Sequence, residues 1–197
     1  MDKSELIDKH RDISVDHDWW EFVYADFDQI CKIIGLELDD TEPSFSGFWS
    51  QGDGASFTGH YRAWQFIKGY KQNLHYETAP ERIREYAPLD KELHRIADEL
   101  CMLGRIYFPP YARITRYETS RYVHEYTMDF DCEPMGGDIE DWADEVLEHV
   151  QHEVKELMKD LARWLYAALE REYDHLTSDE QVWETIKANE LHEGLEV

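Results

Sequence analysis

Between Asp138 and His175 apolar side chains recur at alternating three- and four-residue steps: Leu147, Val150, Val154, Leu157, Leu161, Trp164 and Ala168. A helix turns about 100° per residue, so this spacing gathers all seven on one stripe. A strand would scatter them over both faces, because its side chains alternate at every residue. A helix over 138–175 is roughly 50 Å long at about 1.5 Å per residue. That exceeds what a domain of this size needs, so part of the seam is expected to meet a partner or a second copy of the chain.

The second constraint is the stretch from Phe45 to Tyr61, which places Phe45, Phe48, Trp49, Phe57 and Tyr61 on either side of Gly52-Asp53-Gly54. Aromatics flanking a turn that needs positive φ predict a hairpin, with Phe45–Trp49 and Ala55–Tyr61 as strands and Ser50–Gly54 as the loop. Gly47 and Gly59 fall inside those strands, where glycine marks a bulge or the close approach of another backbone or a ligand.

Around these two features the chain reads as follows. Residues 1–15 are charged, lack a clear period and are expected to be flexible. Trp20, Val23, Phe27, Ile30 and Ile34 form a helical stripe from about Asp16 to Ile34, closed by Gly35. Leu36-Glu37-Leu38 begins a strand. Thr78-Ala79-Pro80-Glu81 has capping-box spacing, and a second start lies at Pro88, ahead of a stripe from Leu89 to Leu103 that ends at Gly104. Tyr111–Tyr117 and Arg121–Phe130 alternate and predict a second hairpin, with Tyr122, His124, Tyr126, Met128 and Phe130 turned to the core. Thr177–Gln181 carries capping spacings and starts a short terminal helix. The expected fold class is α+β: one antiparallel sheet from two hairpins, packed against an N-terminal helix and the long C-terminal helix. Residues 16–197 are expected to form a single domain.

Charge narrows the function. The chain has 197 residues and a formal net charge of −24. Residues 1–59 carry −10, residues 60–121 carry +3, residues 122–137 carry −4 and residues 138–197 carry −13. Two acidic ends flank a mildly basic middle, which argues against binding to duplex nucleic acid or an anionic membrane. Cys31, Cys101 and Cys132 are odd in number and widely spaced, as in a reducing cytoplasm, and each is read as a small buried hydrophobe. No run approaches the ~18 apolar residues of a membrane span, and no export signal opens the chain, so a cytoplasmic location is expected.

Several groups have the composition of a site. His149, His152, Glu153 and Glu156 lie at metal-ligand spacing on a helix, but His149 sits about 200° around it from Leu147 and faces solvent, without a third ligand. No metal or cofactor is expected. Asp53 is either a general base on an exposed loop or a turn former, and the flanking glycines favour the turn. The segment 61–76 interleaves cations with rings, as a strand whose basic stems cover aromatics or as a base-stacking surface. A small-anion pocket would draw on Trp49, Asp53, His60, Tyr61, Arg62, His94, Arg95 and His124, with rings to stack a base and cations to hold a phosphate. Asp141, Asp144, Glu145, Glu148, Glu153, Glu156 and Asp160 recur along the long helix at about 4.5–7.5 Å, comparable with phosphate spacing, so the helix can present a nucleic-acid-like acidic face. Serine-nucleophile, Walker and dinucleotide motifs are absent.

The Phe45–Phe57 segment, together with Leu93-His94-Arg95-Ile96-Ala97, Leu169–Tyr173, Thr177–Glu180 and Ala188–Glu190, resembles small acidic proteins of bacteriophages and mobile elements labelled "antitoxin of toxin-antitoxin stability system". The likeness runs from about Trp19 to Glu190, and this chain carries additional residues around Lys71 to Arg84. The resemblance supplies no catalytic residues. It implies a non-catalytic protein of a bacterial host cytoplasm that binds and neutralises a toxin or defence nuclease. The residues alone also admit a nucleotide-binding protein with its pocket at the Gly-Asp-Gly hairpin, or a dimeric structural protein joined through the long helix.

Overall fold

The computed structural model describes residues 2–40, 43–62, 78–106, 110–116, 122–134, 144–189 and 191. The fold is α+β, with six α-helices and short antiparallel strands among the described residues. The chain divides into two compact units, residues 26–166 and a smaller unit of residues 1–25 with 167–197, in place of the single domain expected from length.

In the larger unit, α2 (Glu21–Ile34, with residues 26–34 here) buries Phe27, Ile30, Cys31, Ile33 and Ile34 and stops at Gly35, as its period predicts. Strand β1 (Leu36–Leu38) follows at once. The Phe45–Tyr61 stretch does not make one hairpin. Only β2 (Ser44–Phe45) and β3 (Ala55–Ser56) pair with each other. Strand β4 (Gly59–Arg62) leaves them to pair with β1 and with β5 (Pro110–Arg116), and β6 (Met128–Pro134) completes a four-stranded antiparallel sheet in the order β1-β4-β5-β6.

The register fixes two faces. Leu36, Tyr61 and Ala112 stand in one row, each at most 1% exposed, and Ile114 in the next inward row is fully buried. One residue over, Glu37, His60, Arg113 and Asp131 form an outward row, with Arg62 and Tyr111 two residues further on the same face. The change of sheet at residues 57–59 has a steric cause. A Cβ on Gly59 would lie 2.4 Å from the Glu37 carbonyl oxygen and 3.1 Å from Leu38 Cα, so only glycine lets β4 approach β1. Gly47, by contrast, borders open space.

The second hairpin exists but starts later than its alternation suggests. Its returning strand begins at Met128, while Glu125–Thr127 is a 3-10 turn capped by His124. The Thr127 hydroxyl donates to the His124 carbonyl at 2.7 Å, and this three-residue closure takes the segment out of the ladder. Tyr122 and Tyr126, read as core residues, are therefore exposed.

Helices α3 (Ala79–Tyr86) and α4 (Lys91–Ile106) start where their caps predict. Thr78 and Glu81 form the capping box of α3. Asp90 accepts from the Leu93 amide at 3.0 Å at the start of α4, and its other oxygen accepts from the Trp164 indole at 2.7 Å. Trp164 lies on α5 (Asp144–Leu176), the long helix; the first residues of the predicted span, 138–143, lie outside the described residues. Val150, Val154, Leu157 and Leu161 of its stripe are buried within the chain itself, while Leu147 is half-buried.

In the smaller unit, the segment expected to be flexible forms α1 (Lys3–Lys9), capped by Asp2 and Glu5. Its Leu6 and Ile7 pack with Val182 and Ile186 of α6 (Asp179–Ala188). Arg11 donates to the Thr177 carbonyl at 2.9 Å and pairs with Asp179. An apolar pair on one face of a seven-residue helix is too short a pattern to stand out among charges, which is why periodicity missed it. Among the described residues no helix is long and apolar enough to cross a membrane.

Two outcomes follow from this packing. Gly59→Ala should destabilise by about 2 kcal/mol in urea unfolding, because the clash is with β1 backbone. Ser56 is fully buried on β3, and its hydroxyl has no partner among the described residues. Ser56→Ala should leave the urea midpoint unchanged or raise it by up to about 1 kcal/mol equivalent, since an unsatisfied hydroxyl is removed.

Candidate functional site

Residues 46–54 close a loop that is held at several points. The Ser46 amide donates to the Gly54 carbonyl at 3.1 Å, and the Gly54 amide donates back to the Ser46 hydroxyl at 3.1 Å. That hydroxyl in turn donates to the Val123 carbonyl at 3.1 Å. Asp53 accepts from the Ser50 amide at 2.7 Å, and its own amide donates to the Ser50 carbonyl, so its carboxylate is used in building the turn. Phe48 stacks on Phe45 and meets Tyr166 of α5, centroids 5.7 and 5.5 Å apart, and the Tyr166 hydroxyl donates to the Gly47 carbonyl.

The segment 122–127 covers one side of this loop. A Cβ on Gly54 would fall 2.5 Å from the His124 Cβ and 2.8 Å from its Cα, and one on Gly52 would meet the Tyr122 ring at 3.1 Å. The glycines of the Gly-Asp-Gly turn therefore make room for a neighbouring chain segment. His124 does not reach toward an anion: its Nδ1 accepts from the Tyr126 amide at 3.1 Å.

At the loop tip Trp49 has φ of 67°, and its side chain is 70% exposed. A bulky non-glycine residue in the left-handed region costs on the order of 1–3 kcal/mol and persists only where the surroundings over-determine it. Tyr122 and Tyr126, exposed by 57% and 62%, lie on the covering segment. The Tyr126 ring receives Lys159 at 5.0 Å and Arg163 at 5.8 Å from α5.

The remaining predicted anion-pocket residues are each bound to neighbours of their own. His60 shares the outward sheet face with Asp39, Tyr111 and Arg113. Its Nδ1 lies 2.6 Å from the Tyr111 hydroxyl, its Nε2 meets the Arg113 guanidinium, and Asp39 accepts from Arg113 at 2.8 Å. Burial raises the Asp39 carboxyl, but hydrogen bonds from Arg113 and Thr58 outweigh it and hold the group below its ordinary value. Tyr61 points to the core, where burial raises its phenol well above the ordinary value. Arg62 has Glu37 at 4.0 Å.

His94 and Arg95 belong to a third place, the face of α4 toward α5. His94 Nε2 lies 2.8 Å from the Ala87 carbonyl, which closes the α3–α4 link. Arg95 pairs with Glu92, Glu99 and Asp160, and the hydrogen bonds to Glu92 and Asp160 hold its guanidinium pKa above the ordinary value despite desolvation. With Lys91, Asp98 and Glu99, these residues line a surface depression of about 430 Å³. The eight predicted ligand residues thus fall on the loop, its covering segment, the sheet face, the core and α4.

The acidic row on α5 is likewise divided. Asp141 lies outside the described residues. Asp144, Glu145 and Glu148 are exposed. Further along, Glu153 approaches His149, Glu156 accepts from Lys159 at 2.7 Å, and Asp160 bridges Arg95 and Arg163. Arg163 continues to Glu125 at 3.0 Å, which ties the 122–127 segment to α5. Among the described residues no group of three or more His, Cys, Asp or Glu side chains is placed to hold a metal.

Sequence reasoning missed Asp39, Tyr111 and Arg113. Their signal is alternation in step with His60, but only strand register shows that Arg113 stands in its row and that Tyr111 and Asp39 share its face. It also missed the 122–127 segment as a cover for the loop; the His124–Thr127 spacing of a capping box was the available sign.

Neither a curated protein nor a solved structure matches the chain. A family described as a domain of unknown function, DUF8835, matches residues 19–179, which takes in the loop, both sheets and all of the long helix, and the chain belongs to that family.

Proposed function

We propose that this protein is a non-catalytic binding protein of the antitoxin or anti-defence kind, encoded by a bacteriophage or mobile element, which docks on and neutralises a protein such as a toxin or nuclease in the bacterial host cytoplasm. The observation that carries this reading is Trp49, a large aromatic held exposed at the tip of a braced loop in a strained backbone conformation. Exposed tryptophan and tyrosine are the residues that most often dominate protein–protein interfaces, because each buries a large area while losing few rotamers. Tyr122 and Tyr126 extend the same surface.

Two further features support it. The polar groups on which a reaction centre would draw are joined to structural partners: Asp53 in its turn, His94 and Arg95 along α4, and His124 in its cap. The overall charge of −24 and the exposed Asp144, Glu145 and Glu148 suit a basic partner, the character of a protein that itself handles nucleic acid.

The test uses the purified full chain as bait in lysate of the bacterial host, followed by binding measurements with the purified partner. Trp49→Gly removes the ring and its contact with Phe48 but relieves the left-handed strain, so the folded state should persist with a melting temperature within about 5 °C of the parent. Its Kd for the partner should rise about 30-fold or more, the effect of losing a central tryptophan anchor. A partner held equally tightly by Trp49→Gly would overturn the assignment of this loop, and enzymatic turnover of the partner or of any co-purifying molecule would overturn the non-catalytic reading.

A further inference from the structure

The outward face of the four-stranded sheet carries a chain of hydrogen bonds whose direction can be worked out. Arg113 offers only N–H donors, so the His60 Nε2 that meets it must be the bare, accepting nitrogen. The proton of the neutral imidazole is then on Nδ1, and it points at the Tyr111 hydroxyl oxygen 2.6 Å away. Tyr111 therefore accepts from His60 and must direct its own O–H elsewhere. At the other end Asp39 accepts from Arg113 at 2.8 Å, which orients the guanidinium. Arg113 thus donates to both Asp39 and His60, His60 donates to Tyr111, and the chain ends at one phenol proton on the outward face.

Strand register sets Tyr111 opposite Arg62 on the same face. Glu37, at 4.0 Å, is the one carboxylate near the Arg62 guanidinium among the described residues, and its side chain is 69% exposed. A surface pair at that distance is easily displaced. No acceptor for the Tyr111 proton is found among the described residues either. A phenol donor and a guanidinium thus stand side by side on two adjacent strands.

We propose that Tyr111 and Arg62 form an oxyanion site for a phosphate group, with His60, Arg113 and Asp39 as positioning residues. Phosphate suits the pair because its several acceptor oxygens can take the phenol proton and a guanidinium N–H together. The site is separate from the Trp49 loop, and its failure would leave the protein-docking reading untouched. The surrounding carboxylates Glu37, Asp39 and Asp131 balance the local cations, so the affinity for phosphate alone is modest, with a Kd on the order of 1 mM.

The test is a titration of the isotope-labelled full chain with inorganic phosphate at constant ionic strength, followed by NMR. The Arg62 Nε–H and the amides of residues 60–62 and 111–113 should shift along one saturable curve. Tyr111→Phe and Arg62→Gln, both conservative changes at partly exposed positions, should each weaken binding roughly tenfold. Arg84→Gln, which removes a cation paired with Asp98 elsewhere, should leave it unchanged. Long-range nitrogen spectra of His60 should show the Nδ1–H tautomer. A parallel titration with adenosine monophosphate separates the sources: tighter binding assigns a nucleotide, equal binding a simple phosphate. Absence of saturable shifts at Arg62, equal affinity in Tyr111→Phe, or an Nε2–H tautomer would each overturn the proposal.

Discussion

Three rings meet at the centre of the larger unit. Phe27 lies 5.4 Å from Phe57 and stacks on Trp164 at 6.3 Å, so α2, the β3–β4 link and α5 converge on one cluster. Aromatic contacts of this kind add about 0.5–1.5 kcal/mol each beyond the area they bury. Their larger effect is directional. Phe57 pins the chain between the end of the braced loop and the start of β4, which sets where the loop leaves the core and which face His60 and Arg62 take. Trp164 adds a polar tie, since its indole proton goes to Asp90, the residue that caps α4. The aromatic loop and the polar sheet face both inherit their placement from this one packing event.

Charge is distributed in a way that net charge conceals. With 44 acidic and 20 basic residues, cations are scarce, and many of them are committed to the fold. Arg95 collects three carboxylates, Arg163 joins Asp160 to Glu125, and Lys159 lies under Tyr126 with Glu156 as its partner. These pairs neutralise acidic groups on α5 that would otherwise repel one another across a helix turn. What stays exposed is the acidic start of the helix, at Asp144, Glu145 and Glu148. Among the described residues of the basic middle, Arg84, Arg95 and Arg113 are tied to carboxylates within the chain, and Arg62 has the longest of these ion pairs.

Helices were legible in the sequence because their signal is periodic and their caps are local. Gly35, Thr78 with Glu81, and the stripe from Val150 to Leu161 all mark what the structure contains. Strands were legible as alternation but not as partners. Nothing in Gly59-His60-Tyr61-Arg62 says that it joins Leu36–Leu38 and not the neighbouring Ser44–Phe45, because that choice rests on a backbone approach between residues far apart in sequence. Tyr122, His124 and Tyr126 alternate as a strand would, yet a three-residue turn closed by Thr127 removes them from the ladder. The candidate residues for the sheet site were half legible for the same reason: His60 and Arg62 stand out by type, whereas Asp39, Tyr111 and Arg113 acquire meaning only from register.

The loop between Phe45 and Ala55 has one more property. Its turn is fixed by Asp53 and Ser46, its glycines are filled from outside by Tyr122 and His124, and its side is pinned to Tyr166. Contacts within the chain thus brace the loop that carries the unusual backbone angle of Trp49. A surface that approaches this tip meets a ring already in place, so little conformational entropy is lost on contact. Encounter is then governed by diffusion and by the long-range field of an acidic protein, without a slow rearrangement step.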